Sequence, residues 1–172
     1  AEPIVPSQGM AEIGEVEDRP SIDLAALQGA CGQKVFSPEQ CYALFDQMGI
    51  AYGPGHRVIE TLYAGDGQVL AKLNLPPSVA DTQAQYTLHP SIMDGALQAG
   101  IGLALGAQDK MTDLPAASTP MLPFALNELE IFDRSPSSGW AWIRYSNGHR
   151  AGDNSQKLDI DLCDEPDRLC VR

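Results

Sequence analysis

Basic residues are scarce in this chain. Of its 172 residues 11 are Lys or Arg against 23 Asp or Glu, a formal net charge of −12 at pH 7. Such a chain repels phosphate backbones, and no stretch clusters Lys with Arg, so nucleic-acid binding is not expected. An acidic partner would need a local basic patch, for which Arg134, Arg144 and Arg150 are the candidates. Long apolar runs are missing too. The longest weakly polar stretch, residues 92–107, is broken by Asp94, Gln98 and several glycines, and falls short of the roughly 20 apolar residues that span a bilayer. No basic segment followed by an apolar one opens the chain, so nothing signals secretion; a cytoplasmic location is expected. Cysteine is sparse and wrongly spaced for metal. Cys31 and Cys41 lie ten apart and Cys163 and Cys170 seven, unlike zinc knuckles or a CxxC pair. With 3 histidines and no HxxxH or HExxH, no metal site is expected and the thiols are read as reduced. No GxGxxG occurs, which argues against nucleotide-dependent carbonyl reduction.

What remains is enough for one compact domain. Hydrophobic residues make up 44% of the chain, near the globular average, and the length supports a real core. Residues 2–13 read as an extended segment, and residues 15–19, four of them charged, with Pro20 behind, as a linker. Apolar positions at helical spacing predict a short helix over 22–31. A stronger start follows at Ser37-Pro38-Glu39-Gln40, where Ser37 can cap, Pro38 suits the first helical position and Gln40 closes a capping box. This helix should run to Met48 with Tyr42, Leu44, Phe45 and Met48 buried, and stop at Gly49. A strand pair over 57–64 and 69–75 turns at Gly65-Asp66-Gly67, the second strand alternating so that one face is buried. His89-Pro90-Ser91 opens a long, mostly buried helix with a wide apolar arc. A polar loop over 107–119 precedes three further strands at 124–132, 141–145 and 157–163. The order predicts an α+β fold, one long helix wrapped by a curved antiparallel sheet, and not a doubly wound parallel sheet.

Two segments could carry chemistry. In Leu88-His89-Pro90-Ser91-Ile92-Met93-Asp94-Gly95-Ala96-Leu97-Gln98 a carboxylate sits in the second turn of an otherwise apolar helix. Gln98, four residues on, shares its face and can hydrogen-bond the carboxyl. A carboxyl buried in apolar surroundings keeps its proton to higher pH, which suits a general acid. The plainer alternative is an Asp favoured by the helix dipole, with a surface Gln. In Tyr52-Gly53-Pro54-Gly55-His56-Arg57 the Gly-Pro-Gly core supports a tight turn that could present Tyr52 and His56 inward. An ordinary turn is the alternative there.

YGPGH at 52–56 followed by LHPSIMDGALQ at 88–98 resembles the C-terminal half of a polyketide synthase dehydratase domain. The flanking helices, LPFALNELEIF at 122–132 and LDIDLCDE at 158–165 fit the same family. The YGPGHR form resembles bacterial modular synthases, including those served by a separate acyltransferase. The resemblance implies a double hotdog: two halves, each a long helix wrapped by an antiparallel sheet, with the site between them. Residues 1–21 would then be the end of the preceding hotdog and a linker, and 22–172 the C-terminal hotdog. The implied reaction removes water from a β-hydroxyacyl thioester on acyl carrier protein. A His of an HxxxGxxxxP motif in the first half takes the α-proton, and an Asp on the second half's helix serves the leaving hydroxyl, helped by a Gln or His four residues on. By position Asp94 is that acid and Gln98 its partner, while Tyr52, Gly53, Pro54 and His56 line the substrate pocket. Relatives that shift double bonds often carry Asn in place of this Asp.

The chain departs from the family pattern in two ways. His56 and Arg57 stand where many relatives have Phe and Gln, and HxxxGxxxxP does not occur. None of His56, His89 and His149 supplies that motif. His56 and His149 read as surface or packing residues and His89 as a helix-entry residue. The resemblance thus implies a site whose base comes from an N-terminal hotdog absent from this sequence. It implies no metal or organic cofactor, the substrate arriving on the phosphopantetheine arm of acyl carrier protein. Two rivals stand beside this reading: a non-catalytic domain that binds carrier protein or organises the assembly, and an isomerising or pyran-forming relative on the same scaffold. An inter-hotdog face left bare should make the chain dimerise or associate with a partner hotdog.

Overall fold

The structure, a computed structural model, describes residues 8–14, 19–107, 122–153 and 155–172. The expected extended segment lies partly outside these, and so do most of the 15–19 linker and the 107–119 loop. Residues 8–14 are exposed and form no strand.

Helix α1 (Leu24–Cys31) opens on Asp23, whose carboxylate accepts from the Ala26 N–H. Strand β1 (Lys34–Phe36) leads into α2 (Pro38–Gln47), which carries the expected capping box. The Gln40 N–H donates to Ser37 Oγ and the Ser37 N–H to Gln40 Oε1, so two otherwise orphaned donors are satisfied. Cys41, Tyr42, Leu44 and Phe45 form its buried side. Gly49 ends it at φ 83°, a left-handed conformation that a Cβ would strain. Strands β2 (Ile59–Ala64) and β3 (Gln68–Asn74) make the expected hairpin, with Gly67 at φ 66° in its turn. Strands β4 (Ser138–Tyr145), β5 (Leu158–Asp164) and β6 (Leu169–Val171) follow. All six pair antiparallel in chain order, β1 to β6.

Four expectations need correcting. The long helix is two, α3 (Pro90–Gln98) and α4 (Ile101–Gly106). Between them Gly100 N–H bonds to Leu97 O and Gly102 N–H to Ala99 O, three-residue spacings that tighten the chain where glycine lowers the cost of leaving the helical ladder. The expected strand at 124–132 is not one. Its end touches β6 through the mutual bonds of Glu130 and Arg172 and the Ile131–Val171 bridge, while Leu122, Phe124 and Leu126 are 72–85% exposed. These apolar residues have nothing among the described residues to lie on. Strands β1 and β6, three residues each, are too short to show periodicity and were not expected. Finally, β3 is buried on both faces. Val69, Ala71 and Leu73 face the main core, and Leu70 is also fully buried. On the far side α1 lies against β2 and β3, and Ile22, Leu24, Leu27, Trp140, Trp142, Cys163 and Leu169 form a second, smaller core.

The main core lies between the sheet and α2, α3 and α4. Helix α3 approaches so closely that a Cβ on Gly95 would come within 1.9 Å of Val58 Cγ2, so no larger residue fits without displacement. That approach brings Asp94 against the loop that precedes β2. An antiparallel sheet with its central helix fits the hotdog that the resemblance implies.

Candidate active site

The site begins with two local structures. Pro54–His56 is a short 3₁₀ turn, closed by the His56 N–H on Gly53 O at 3.0 Å and started by a proline already set for helical φ. Helix α3 starts at His89, whose Nδ1 accepts from the Ser91 N–H at 3.2 Å, with Pro90 in the first turn. His89 is thus the helix-entry residue that the sequence suggests. Its other nitrogen meets Thr82 Oγ1 at 2.9 Å, and Thr82 gives its single proton to Val79 O. Thr82 therefore accepts from His89 Nε2–H, and His89 is the neutral Nε2–H tautomer with both nitrogens occupied. Burial, and then the nearby His56, hold its pKa below the ordinary histidine value.

Asp94 and Gln98 meet as the i, i+4 spacing requires: Gln98 Nε2 donates to Asp94 Oδ2 at 2.8 Å. His56 Nδ1 lies 3.0 Å from the same oxygen. The second hydrogen of Gln98 Nε2 goes to His56 O at 2.9 Å, so the helix is tied to the turn by main chain as well. Asp94 Oδ1 has no hydrogen-bond partner among the described residues.

The expected burial of the acid is not found. The Asp94 side chain is 36% exposed and that of His56 48%, so the site is an open face of the chain, and apolar burial does not account for the chemistry of Asp94. Two surface hollows, one at Ser21–Ala25 with Glu165–Asp167 and one around Tyr42, Arg57, Pro76 and Pro77, are bordered by neither Asp94 nor Gln98.

Nor do Tyr52 and His56 both turn inward. Tyr52 does, packing edge-on against Phe45 and Tyr42 at centroid distances of 5.0 and 6.0 Å. Its hydroxyl pKa is raised by burial and then by the charge of Asp94. Its carbonyl accepts from Arg57 Nε at 2.9 Å, which pins the loop. Gly53 and Pro54 are exposed on the turn. His56 is not a bystander at the surface: it contacts the carboxylate. His149 lies in the turn after β4, its N–H on Ser146 O. Arg134, Arg144 and Arg150 are engaged locally rather than forming a basic patch. Arg134 binds Ala84 O and Tyr86 O, Arg144 pairs with Asp161 at 3.0 Å, and Arg150 faces Asp153.

Sequence reasoning placed Tyr42 in the core and missed its hydroxyl, which donates to Gln98 Oε1 at 3.1 Å. The available signal was that a buried tyrosine must place its O–H on a partner. Ser135 was missed as well. Its Oγ accepts from the His89 N–H at 2.7 Å and its carbonyl from Gln83 Nε2 at 2.7 Å, fixing the entry to α3.

A family model described as "Polyketide synthase dehydratase N-terminal domain" matches residues 19–172. The chain belongs to the polyketide synthase dehydratase family. It is 46% identical over 170 residues to Polyketide synthase PksL of Bacillus subtilis, covering 99% of this chain and 4% of PksL. A crystal structure of a trans-AT PKS dehydratase domain from Brevibacillus brevis superposes with a TM-score of 0.78 at 47% identity, covering 89% of this chain and 50% of that one. The CurK dehydratase, solved as an inactive Asp→Asn mutant, gives 0.72 at 28% identity over 90% of this chain and 50% of its own. The chain thus spans a few per cent of the curated relatives and about half the length of these solved dehydratases.

Proposed function

We propose that this chain is the C-terminal hotdog of a dehydratase domain in a bacterial modular polyketide synthase served by a separate acyltransferase. Although the matching family description names an N-terminal domain, the C-terminal assignment is supported by DGALQ on the central helix and by the lack of HxxxGxxxxP. In this reading residues 1–21 are the end of the preceding hotdog and its linker. The substrate is a β-hydroxyacyl thioester on the phosphopantetheine arm of acyl carrier protein, and neither metal nor organic cofactor is required. A His of the N-terminal hotdog removes the α-proton, acidified by the thioester. Asp94 gives a proton to the β-hydroxyl, which leaves as water while the α,β double bond forms. Gln98 and His56 hold the carboxyl, and Tyr52, Gly53 and Pro54 line the acyl path.

One observation carries this reading: Asp94 is held on a single oxygen by groups from two elements while its other oxygen, on an open face, has no partner among the described residues. A carboxyl so arranged is oriented yet available, as an acid must be. The inactive Asp→Asn CurK dehydratase supports an acidic residue in the reaction of that relative. The test is intact mass of a carrier-bound β-hydroxyacyl substrate incubated with this chain, with and without a supplied N-terminal hotdog. Loss of one water only with the partner is the expected result, and it should vanish in Asp94→Ala. Normal turnover by Asp94→Ala would remove Asp94 from the mechanism, and no loss in either case would favour the non-catalytic carrier-binding reading.

A second reading is favoured by the His56 contact. His56 Nδ1 faces Asp94 and its side chain is half exposed, so this half alone holds an acid–base pair able to move a proton along an acyl chain, as an isomerase or pyran-forming relative would. A product of unchanged mass, formed by this chain without its partner and lost in His56→Ala, would select it.

The proposed partner surface includes the bare segment with Leu122, Phe124 and Leu126. The isolated chain should self-associate by light scattering, and serine at these three positions should return it to monomer. A stable wild-type monomer at high concentration would count against a buried role for this surface.

A further inference from the structure

Tyr42 lies on α2, 5% exposed, far in sequence from the helix that carries Asp94. Its ring is wedged against Phe45 and Tyr52 and lies beneath the Arg57 guanidinium at 5.2 Å. The direction of every hydrogen bond around its hydroxyl can be deduced. The Ile59 N–H has only a proton to give, so at 3.1 Å it donates to Tyr42 Oη. The phenolic proton then goes outward, to Gln98 Oε1 at 3.1 Å rather than to His56 O at 3.5 Å, which already receives Gln98 Nε2. This settles the Gln98 amide: Oε1 toward Tyr42, and both Nε2 hydrogens spent on His56 O and Asp94 Oδ2. The flipped amide would set its oxygen against two acceptors and its NH2 against the Tyr42 hydroxyl.

Resting on the dehydratase reading above, we infer that Tyr42 is a positioning residue that acts through Gln98 to keep an N–H on Asp94 Oδ2, so that the proton Asp94 delivers is carried on Oδ1. Oδ2 accepts from Gln98 Nε2 and faces His56 Nδ1 at 3.0 Å, so a proton there would be engaged with the imidazole, whereas Oδ1 is the oxygen left without a partner among the described residues and open to a substrate. Burial pushes the Tyr42 hydroxyl up to about 12, so it remains a proton donor over the whole working pH range. Gln98 is itself 3% exposed, which shields its amide from competing water.

The experiment uses the natural polypeptide that carries this chain with its neighbouring half, and a carrier-bound β-hydroxyacyl substrate. Tyr42→Phe keeps the ring and removes the hydroxyl; it should lower kcat about tenfold with KM within about twofold, since orientation and not binding is lost. In a Gln98→Ala background the same change should alter kcat less than about twofold, because the path it acts through is gone. Gln98→Glu retains the acceptor for Tyr42 but removes the donor to Asp94, and should cost at least as much as Tyr42→Phe. A second full loss in the Gln98→Ala background, or an unimpaired Tyr42→Phe or Gln98→Glu, would overturn the inference. A readout apart from turnover is the side-chain amide spectrum of Gln98 in this chain: both Nε2 protons should be protected from exchange, and Tyr42→Phe should lose that protection. Unchanged protection overturns the positioning role even if the wild type dehydrates nothing. A wild type without dehydration overturns the dehydratase reading instead.

Discussion

Asp94 and Asp161 are aspartates of the same chain, each held by nitrogen donors, and they are built for opposite ends. Asp161, on β5, is fully buried; Arg172 reaches both its oxygens at 2.7 and 3.3 Å, and Arg144 lies 3.0 Å away, stacked on Trp142. Both oxygens accept from Arg172 and a second guanidinium adds its charge, so the buried carboxylate is compensated in place. Asp94 is more than a third exposed and is held on one oxygen by a neutral amide and an imidazole, while the other has no partner among the described residues. A buried carboxylate paired on both oxygens suits a structural role, whereas one held on a single oxygen at the surface suits the proton exchange proposed for Asp94.

The sharpest test of this contrast is Asp94→Asn. If the proposed reaction holds, dehydration measured with the N-terminal hotdog supplied should fall by about 10²–10⁴, the usual worth of a positioned acid, while thermal unfolding stays within about 0.5 kcal/mol of wild type, as for an exposed site. A large stability loss would collapse the distinction. Asp161→Ala should do the reverse. Leaving two guanidinium groups uncompensated should cost about 3 kcal/mol in denaturant unfolding, the low end for a buried pair because both arginines are partly exposed. Turnover per folded molecule should be retained.

Gly95→Ala links the two behaviours. Its methyl group would meet Val58, so overpacking should cost about 1–3 kcal/mol and shift α3 relative to the turn that bears His56, lowering kcat as well. Equal activity in both proteins would mean that α3 can move without disturbing the acid. The smallest effect concerns His89. Its pKa is lowered in the folded chain by burial and then by His56, so near and below the ordinary value of about 6.5 the unfolded state binds a proton that the folded state refuses. Stability is therefore complete above that pH and declines as pH falls toward the folded pKa. Denaturant midpoints between pH 5 and 7 should show this slope. His89→Asn, which keeps a cap acceptor for Ser91, should flatten it.

Much of this was legible in the residues. The capping box at Ser37 and Gln40, the stop at Gly49, the hairpin turn and the i, i+4 pairing of Asp94 with Gln98 are local, and local physics decides them within a few residues. The split of the long helix was harder, because its glycines read equally well as packing positions. The failed strand at 124–132 shows the limit of pattern: alternation there is compatible with a strand, but a strand needs a neighbour along its length, and β6 meets only its end. Burial of Asp94 was misjudged for the same reason. An apolar helix face says that something covers it, and says nothing of which residue stands at the rim.

By itself the sequence determined the α+β class, the caps and turns, the family and the two segments that meet at the candidate site. Only the tertiary structure decided that His56, from a turn 38 residues before it, shares an oxygen of Asp94 with Gln98, and that Tyr42 orients that Gln. Such contacts join elements remote along the chain. Their geometry is set by how closely α3 can approach Val58, a property of packed volumes that no local pattern of residues encodes.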